Sequence, residues 1–191
     1  MWIPGRAFLA VSSLALAAGV LAGCASSDAD ADPVRTPKPS PTPTPVFTSD
    51  ADALAAATKV YKEFEAVSDQ IGRDGGAHPE RIKPYVNAAG YQHELEEAQK
   101  MRSEHSHGVG STVLNNIVLQ SHEENDGVAT VTVYTCEDIS SIDRIGADGK
   151  SLVSPDRADY IAYVAVLRAD QSHQLVIQSN KYWSGGGICK H

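Results

Sequence analysis

The first half of the folded part of the chain carries a helical pattern of apolar positions. Between Leu54 and Ile71, apolar or small residues recur at steps of three and four, so they line one face of an amphipathic helix. The face consists of Leu54, Ala57, Tyr61, Phe64, Ser68 and Ile71. Ser49 or Asp50 can cap the start of this helix, and Gly72 can end it. The pattern therefore predicts one long helix that packs by a single face.

Two shorter helices are predicted after it. Pro79 suits the first position of a helix, and Pro84 would end that helix within about one turn. A third helix is predicted to follow Gly90, because apolar residues again recur at helical spacing there. Its predicted buried side comprises Tyr91, Leu95, Ala98 and Met101.

After Gly110 the pattern becomes typical of strands, with segments rich in Val, Ile, Thr and Tyr. Four strands are predicted, at about 111–122, 128–137, 158–168 and 174–183. Asn125-Asp126-Gly127 and Asp170-Gln171-Ser172 are predicted to be hairpin turns, and Asp148-Gly149 to lie at the tip of an arm between the second and third strands. Helices followed by antiparallel strands indicate the α+β class, with the helices packed on one face of a curved sheet.

A separate apolar run from Ala7 to Val20 precedes this region and is followed by Leu21-Ala22-Gly23-Cys24. The run is too short for a membrane span and has the size of a signal-peptide core, with Arg6 ahead of it. Small residues directly before a cysteine resemble the lipobox of bacterial lipoproteins. That resemblance implies lipidation of Cys24 with fatty acyl chains such as palmitate, and anchoring on the extracytoplasmic face of the cell membrane.

The segment after Cys24 is rich in proline and poor in large apolar residues. From Thr36 to Pro45, every second residue is proline. This alternation excludes a helix, because each proline lacks a backbone donor. A semi-rigid polyproline spacer is expected. The predicted organisation is a signal peptide at 1–23, a disordered linker at 24–49 and one folded domain at 50–191.

Composition limits the partners of this domain. The chain has 24 acidic and 16 basic residues, for a formal net charge of −8. An acidic surface argues against nucleic acid as a partner, and no block of basic residues counters it. With Cys24 lipidated, only Cys136 and Cys189 remain, and an even pair outside the cytoplasm favours a disulfide. The alternative is a reactive or metal-binding thiol pair, for which no CxxC spacing is present.

The order of predicted elements resembles a known group of proteins. The order is similar to that of a group of actinobacterial lipoproteins. It consists of three helices, a glycine-led strand, a cysteine-containing strand and a C-terminal cysteine. The mature domain of that group resembles the nuclear transport factor 2-like fold, a cone of helices wrapped by a strongly bent sheet. The resemblance covers most of residues 50–189 and depends on element order and on Gly90, Cys136, Asp138, Asp143, Gly149 and Cys189. The fold hosts ketosteroid isomerases, dehydratases, polyketide cyclases and non-catalytic binding modules.

Candidate catalytic residues come from the requirements of an isomerase. Such a site needs a carboxylate base and an acid donor, commonly a tyrosine, that meet in an apolar cone. Glu137 and Asp138 are the candidate bases, and Tyr134 is the candidate donor on the same strand. The other tyrosines that can reach a cavity are Tyr61, Tyr85, Tyr160 and Tyr163. No spacing links a particular pair, and tyrosines of this kind also serve as ordinary core aromatics.

Two histidines form the candidate metal site. His105 and His107 are two residues apart, so on an extended segment they point the same way and can chelate a divalent ion such as zinc. They lie in a polar connection with Gly108 and Gly110, where solvated histidines are common.

These observations favour binding over catalysis. We expect a lipid-anchored extracytoplasmic protein without a cofactor, whose domain binds a small apolar ligand in the cone or an envelope protein on the open sheet face. Homodimerisation through that face is a further expectation. The alternatives are a ketosteroid-isomerase-like or dehydratase-like enzyme with a Tyr/carboxylate pair, and divalent metal binding through His105 and His107.

Overall fold

The computed structural model describes residues 44–185 and 187–189, which form an α+β domain with antiparallel sheets. The predicted signal peptide, Cys24 and most of the predicted linker lie outside the described residues. The elements are α1 (Asp50–Arg73), a 3₁₀ helix (Pro79–Ile82), α2 (Ala88–Ser103), β1 (His107–Val109), β2 (Val113–Asn125), β3 (Val128–Asp138), β4 (Asp143–Ile145), β5 (Tyr160–Ala169) and β6 (Val176–Tyr182). Neither α-helix of the described part combines the length and apolar character that crossing a bilayer requires.

Helix α1 starts where its periodicity predicts and ends one residue beyond Gly72. Most of its predicted face is buried, whereas Leu54 and Ser68 are half-buried. The Ser49 side chain accepts a hydrogen bond from the Asp52 backbone N–H at 3.1 Å, which satisfies one of the donors that a helix start leaves unpaired. Its fully buried side chains, which cover the sheet, are Ala53, Ala57, Tyr61, Phe64 and Ile71.

The other two predicted helices differ from expectation. The segment at Pro79 is a four-residue 3₁₀ helix, so the domain has two α-helices rather than three. Helix α2 begins at Ala88 rather than after Gly90, because the Asn87 side chain caps it by accepting a hydrogen bond from the Gly90 N–H at 2.8 Å. Only Ala98 of its predicted apolar side is fully buried. This helix therefore covers the edge of the domain instead of its centre.

The main sheet has the strand order β2-β3-β5-β6, and every neighbouring pair is antiparallel. The two-residue turn Asp126-Gly127 joins β2 to β3, and both residues have positive φ, at 50° and 76°. This geometry matches the right-handed twist of a hairpin and is accessible to Asp and Gly. Glycine at 149 likewise has a positive φ of 77° at the tip of the predicted arm.

Strands β1 and β4 pair with each other in a small second sheet that the sequence pattern does not predict. Each has three residues, which is too short for an alternating pattern to emerge. Their pairing brings the connection after α2 against the arm that follows β3.

The core lies between α1 and the inner face of the main sheet. Alternate residues of β3, from Ala129 to Glu137, point toward the helix and are buried. Val46 is also part of this core, with an exposed fraction of 3%. The sequence pattern predicts the boundary between linker and domain at Asp50. The packed region begins a few residues before that boundary.

The outer face of β3 is covered in part by the C-terminal segment. Cys136 is bonded to Cys189, with 5.2 Å between their Cα atoms, which is the pair that the cysteine count favours. The rings of Tyr134 and Trp183 stack nearby with their centroids 4.2 Å apart. This covering holds the chain end against the sheet.

Candidate functional site

The hydroxyl group of Tyr61 is the centre of a buried polar network between α1 and the sheet. It donates a hydrogen bond to Glu137 Oε1 at 2.6 Å. It accepts hydrogen bonds from Asn180 Nδ2 at 2.9 Å and from Thr135 Oγ1 at 3.3 Å. Tyr61 and Thr135 have no exposed surface, so this network is closed to solvent on the Tyr61 side. All the hydrogen-bonding capacity of the hydroxyl is used within the protein.

Glu65 brings a second carboxyl group to Glu137. It lies one helical turn after Tyr61, so both side chains leave α1 on the same face. Burial raises the pKa of Glu65 well above its usual range, and the neighbouring charges of Glu137 and Asp69 raise it further. Burial also raises the pKa of Glu137, while hydrogen bonds from Tyr61 and Glu65 oppose that change. Burial and the proximity of the two carboxyl groups therefore disfavour ionisation of both at once, and the rise in pKa is larger at Glu65 than at Glu137.

The same environment keeps the nearby tyrosines neutral. Burial raises the pKa of Tyr163 to about 12, and the charges of Glu137 and Glu65 contribute to this rise. Burial likewise raises the pKa of Tyr61, again with the help of Glu137 and Glu65. Neither phenol ionises near neutral pH, so the titratable chemistry of the network belongs to the two glutamates.

Glu65 connects this network to an open cleft between α1 and the start of β2. The cleft has a volume of about 370 Å³. Its α1 wall and its β2 wall comprise Lys62, Glu65, Ala66, Asp69, Arg73, Ser111, Thr112, Val113 and Leu114. Glu65 is half-buried, whereas Glu137 has an exposed fraction of only 5%. Glu65 is thus the member of the carboxyl pair that a molecule in the cleft can reach.

Two side chains of α1 fix the β2 wall of the cleft. The Asp69 carboxylate accepts hydrogen bonds from the Thr112 backbone N–H at 2.7 Å and from Thr112 Oγ1 at 3.0 Å. Arg73 donates to the Gly110 carbonyl oxygen at 3.0 Å and to Ser111 Oγ at 3.3 Å. Because these contacts hold both walls together, the cleft is preformed.

Of the candidate catalytic residues, Glu137 is in the network, and Tyr134 and Asp138 are not. Residues of a strand alternate between its faces, so Tyr134 and Asp138 leave the outer face of β3. Tyr134 stacks on Trp183 there, and Asp138 accepts a hydrogen bond from the Ser140 N–H at 2.9 Å. Tyr134 and Asp138 therefore lie outside the network, and Tyr61 is the tyrosine that meets Glu137.

The candidate metal ligands do not form a cluster. His105 and His107 are both exposed, and His105 ends the turn after α2 with a φ of 50°. Across residues 44–185 and 187–189, no group of three or more His, Cys, Asp or Glu side chains is arranged to hold a metal ion. The two histidines have no third ligand in that part of the chain.

Glu65 and Asn180 are the site residues that the sequence reasoning missed. Glu65 is four residues after Tyr61 and next to Phe64, so it lies at the border of the apolar face of α1. A carboxyl group at this position is a signal in the sequence that it lies close to the buried tyrosine. Asn180 offers no such signal, because it reaches Tyr61 only through the pairing of β6 with β5.

Comparisons with known proteins do not indicate a function for this chain. No family model matches the chain, and no curated protein matches it. Among solved structures, it is similar to the crystal structure of the intermembrane space region of the chloroplast protein ARC6, with 12% identity, 69% of this chain and 97% of that chain covered, and a TM-score of 0.49. It is also similar to the solution structure of a de novo β-sheet design protein, with 14% identity, 74% and 95% coverage, and a TM-score of 0.30. Similarities this distant carry no argument about the role of the site.

Proposed function

We propose that this chain is a lipid-anchored extracytoplasmic binding protein and that its ligand binds in the cleft between α1 and β2. The observation that carries the proposal is the buried pair of carboxyl groups Glu65 and Glu137 at the inner end of a preformed cleft. Carboxyl groups with a strongly raised pKa beside a cleft are typical of functional sites. Because Glu65 is the exposed member of the pair, it is the group that contacts the ligand.

The walls of the cleft indicate the class of ligand. Ala66, Val113 and Leu114 offer apolar surface, and the exposed fraction of Val113 is 52%. The raised pKa of Glu65 favours an uncharged hydrogen-bonding group of the ligand over a carboxylate at this point of the cleft. The proposed ligand is a small apolar molecule that carries one hydroxyl or amide group.

Binding is favoured over catalysis because the tyrosine of the network is already occupied. An isomerase needs a phenol that donates its proton to the bound substrate. The Tyr61 hydroxyl donates to Glu137 and has no exposed surface. A substrate in the cleft would meet Glu65 without an adjacent donor from Tyr61.

The cellular location and the finer fold belong to the same proposal. Leu21-Ala22-Gly23-Cys24 and the proline-rich segment after it support a lipid anchor with a spacer. The long helix packed on one face of a four-stranded antiparallel sheet is compatible with a nuclear transport factor 2-like cone. The spacer would hold the cleft at a distance from the membrane surface.

A thermal-shift experiment tests the binding proposal. The probe is 2-naphthol, which combines an apolar body with one hydroxyl group. A molecule that binds only the folded state raises the melting temperature by mass action, so 2-naphthol should raise it in a concentration-dependent way. Ala66→Trp, which fills the cleft, should abolish the shift, and Ala55→Trp, on an exposed position of α1 outside the cleft, should retain it. Equal shifts in both variants would refute the cleft as the site, and an envelope protein partner would then be the remaining form of the binding hypothesis.

The enzyme alternative is favoured by one observation, the contact of Tyr61 with a carboxyl pair. Its test is turnover of a 3-oxo-Δ5-steroid by the full chain. Turnover above background that is lost in Glu65→Gln, with the fold retained, would support this alternative. Absence of turnover together with 2-naphthol binding would support the binding proposal.

A further inference from the structure

A second polar cluster lies at the N-terminal end of α1, where the chain enters the domain. The Glu124 carboxylate at the end of β2 accepts hydrogen bonds from the Val46 N–H at 3.1 Å and from the Phe47 N–H at 2.9 Å. Gln171 adds a hydrogen bond to the Thr44 carbonyl oxygen at 3.0 Å. We call the set of Val46, Phe47, Asp50, His122 and Glu124 the entry clasp, because it holds the segment ahead of α1 against the sheet.

His122 joins the two acidic groups of the entry clasp. Its Nδ1 lies 3.2 Å from Asp50 Oδ1, and its Nε2 lies 3.1 Å from Glu124 Oε1. The His122 side chain has an exposed fraction of only 8%. The Phe47 ring packs edge-on against the His122 ring, with 5.9 Å between the centroids. The imidazole is therefore enclosed between a carboxylate of α1, a carboxylate of its own strand and an aromatic ring.

The protonation state of His122 decides how many of these contacts are favourable. A neutral imidazole has one N–H and can donate to only one of the two carboxylates, whereas a doubly protonated ring donates to both. The second contact of a neutral ring sets a nitrogen lone pair against a carboxylate oxygen. Charge-assisted hydrogen bonds are also about twice as strong as neutral ones. The cationic ring is thus the form that donates to both carboxylates, of which Asp50 is largely exposed, at 77%, and Glu124 is 23% exposed.

Histidine is the residue type whose charge can change between about pH 5 and 8, and His122 is the histidine that contacts both carboxyl groups of the entry clasp. Burial tends to raise the pKa of Glu124, but hydrogen bonds from the Phe47 and Val46 N–H groups and from His122 bring it below its ordinary value. Glu124 is therefore a carboxylate throughout the range of about pH 5 to 8 in which imidazoles titrate. His173 is the other titratable group nearby, and it contacts only the far side of the Phe47 ring, with 6.3 Å between the centroids.

We propose that His122 makes the entry clasp a pH-sensitive latch, which holds the segment Thr44–Ser49 on the domain when the ring is cationic and releases it when the ring is neutral. Cationic His122 neutralises Asp50 and Glu124 and keeps Glu124 positioned for the Val46 and Phe47 N–H groups. Deprotonation leaves two carboxylates around a ring with one donor, so the hold on the segment weakens as pH rises. Release adds residues of the domain entry to the tether and uncovers the core beneath Val46.

Amide exchange measured by NMR on the full chain tests this latch. After correction for the intrinsic effect of pH on exchange, protection of the Val46 and Phe47 amides should fall about tenfold between pH 5.5 and pH 7.5. Protection of Val131 and Val133 in β3 should stay constant, which separates local release from global unfolding. In His122→Gln, protection at Val46 and Phe47 should be low at both pH values. The control His173→Gln, which keeps both carboxylate contacts, should behave like the original chain.

The original chain alone can also overturn the proposal, even if His122→Gln fails to fold. The midpoint of the change at Val46 and Phe47 must equal the midpoint of the His122 ring signals in the same titration. Protection that does not change with pH, a different midpoint, or the same pH dependence in His122→Gln would each contradict the latch.

Discussion

At the residue scale, the main feature is that one helical turn of α1 delivers both a phenol and a carboxyl group to Glu137. Tyr61 and Glu65 are four residues apart on the face that packs against the sheet. Tyr61 uses its hydroxyl entirely within the protein, while Glu65 also lines the cleft. The same short segment of helix thus closes one side of the network and leaves the other side accessible.

The raised pKa values of Glu65 and Glu137 predict how stability depends on pH. The pKa values of Glu65 and Glu137 are raised in the folded chain, so above their ordinary range the folded state holds more protons than the unfolded state. The free energy of unfolding must then decrease as pH rises toward the folded pKa values. Urea unfolding from pH 5 to 9 should reveal this decrease, and Glu65→Gln should remove most of it because glutamine stays neutral. A decrease of the same size in Glu65→Gln would contradict the assignment.

The Tyr61 hydroxyl makes a separate prediction. Tyr61→Phe leaves Glu137, Asn180 and Thr135 without a shared partner in a buried place. Such a loss costs about 1–3 kcal/mol, which corresponds to a melting temperature lower by several degrees in a domain of this size. Tyr182→Phe is the matched control, because Tyr182 has an exposed fraction of 71% and should have no measurable effect. Equal melting temperatures for both variants would show that the network adds no stability.

At the scale of elements, the sequence pattern predicts what periodicity controls. Helix α1 and the four main strands follow from their repeating apolar positions. The three-residue strands β1 and β4 were not predicted, because two short segments pair only through contacts that are distant in sequence. The sequence pattern places the start of α2 three residues too late, because it takes Gly90 rather than the capping residue Asn87 as the boundary. The alternation of side chains between the two faces of a strand places Tyr134 and Asp138 on the face of β3 opposite to Glu137. This distinction is available from the sequence alone.

The disulfide is the prediction that belongs to β3 and the C-terminal segment. Cys136 and Cys189 are 53 residues apart, and closing a loop of this length contributes about 4 kcal/mol in the chain-entropy model. Reduction, or the double variant Cys136→Ala with Cys189→Ala, should lower the melting temperature by several degrees. Cys24→Ser should leave it unchanged. Titration of two free thiols at Cys136 and Cys189 in the native oxidised protein would contradict the bond.

At the scale of the whole molecule, the sequence predicts an anchor and a spacer that the described residues do not include. The lipobox-like segment Leu21-Ala22-Gly23-Cys24 predicts that Cys24→Ser releases the protein from the membrane fraction or leaves the signal peptide uncleaved. The check is cell fractionation together with electrophoretic mobility, compared with Cys136→Ser. If the Cys24→Ser protein fractionates and migrates like the parent, the lipid anchor is refuted.

The site was only partly predictable because its parts come from different levels of the structure. Glu137 was a candidate from its residue type and strand, and its partner Tyr61 was named only among several tyrosines. The cleft depends on the hydrogen bonds by which Asp69 and Arg73 hold the β2 wall. These bonds join residues that are 43 and 37 positions apart in the sequence. A ligand preference depends further on the raised pKa of Glu65, which burial creates after folding.

The most direct test of the account is to locate a bound probe by NMR. If 2-naphthol binds between α1 and β2, a titration of the full chain should produce saturable chemical-shift changes at the Lys62, Ala66 and Thr112 amides. The Ala66→Trp variant should not show these changes. Amides of Ser140 and Ser154, which line a separate cleft of about 630 Å³, should remain unchanged. Saturable shifts confined to Ser140 and Ser154, or no saturable shift at Lys62, Ala66 and Thr112, would contradict a binding site between α1 and β2.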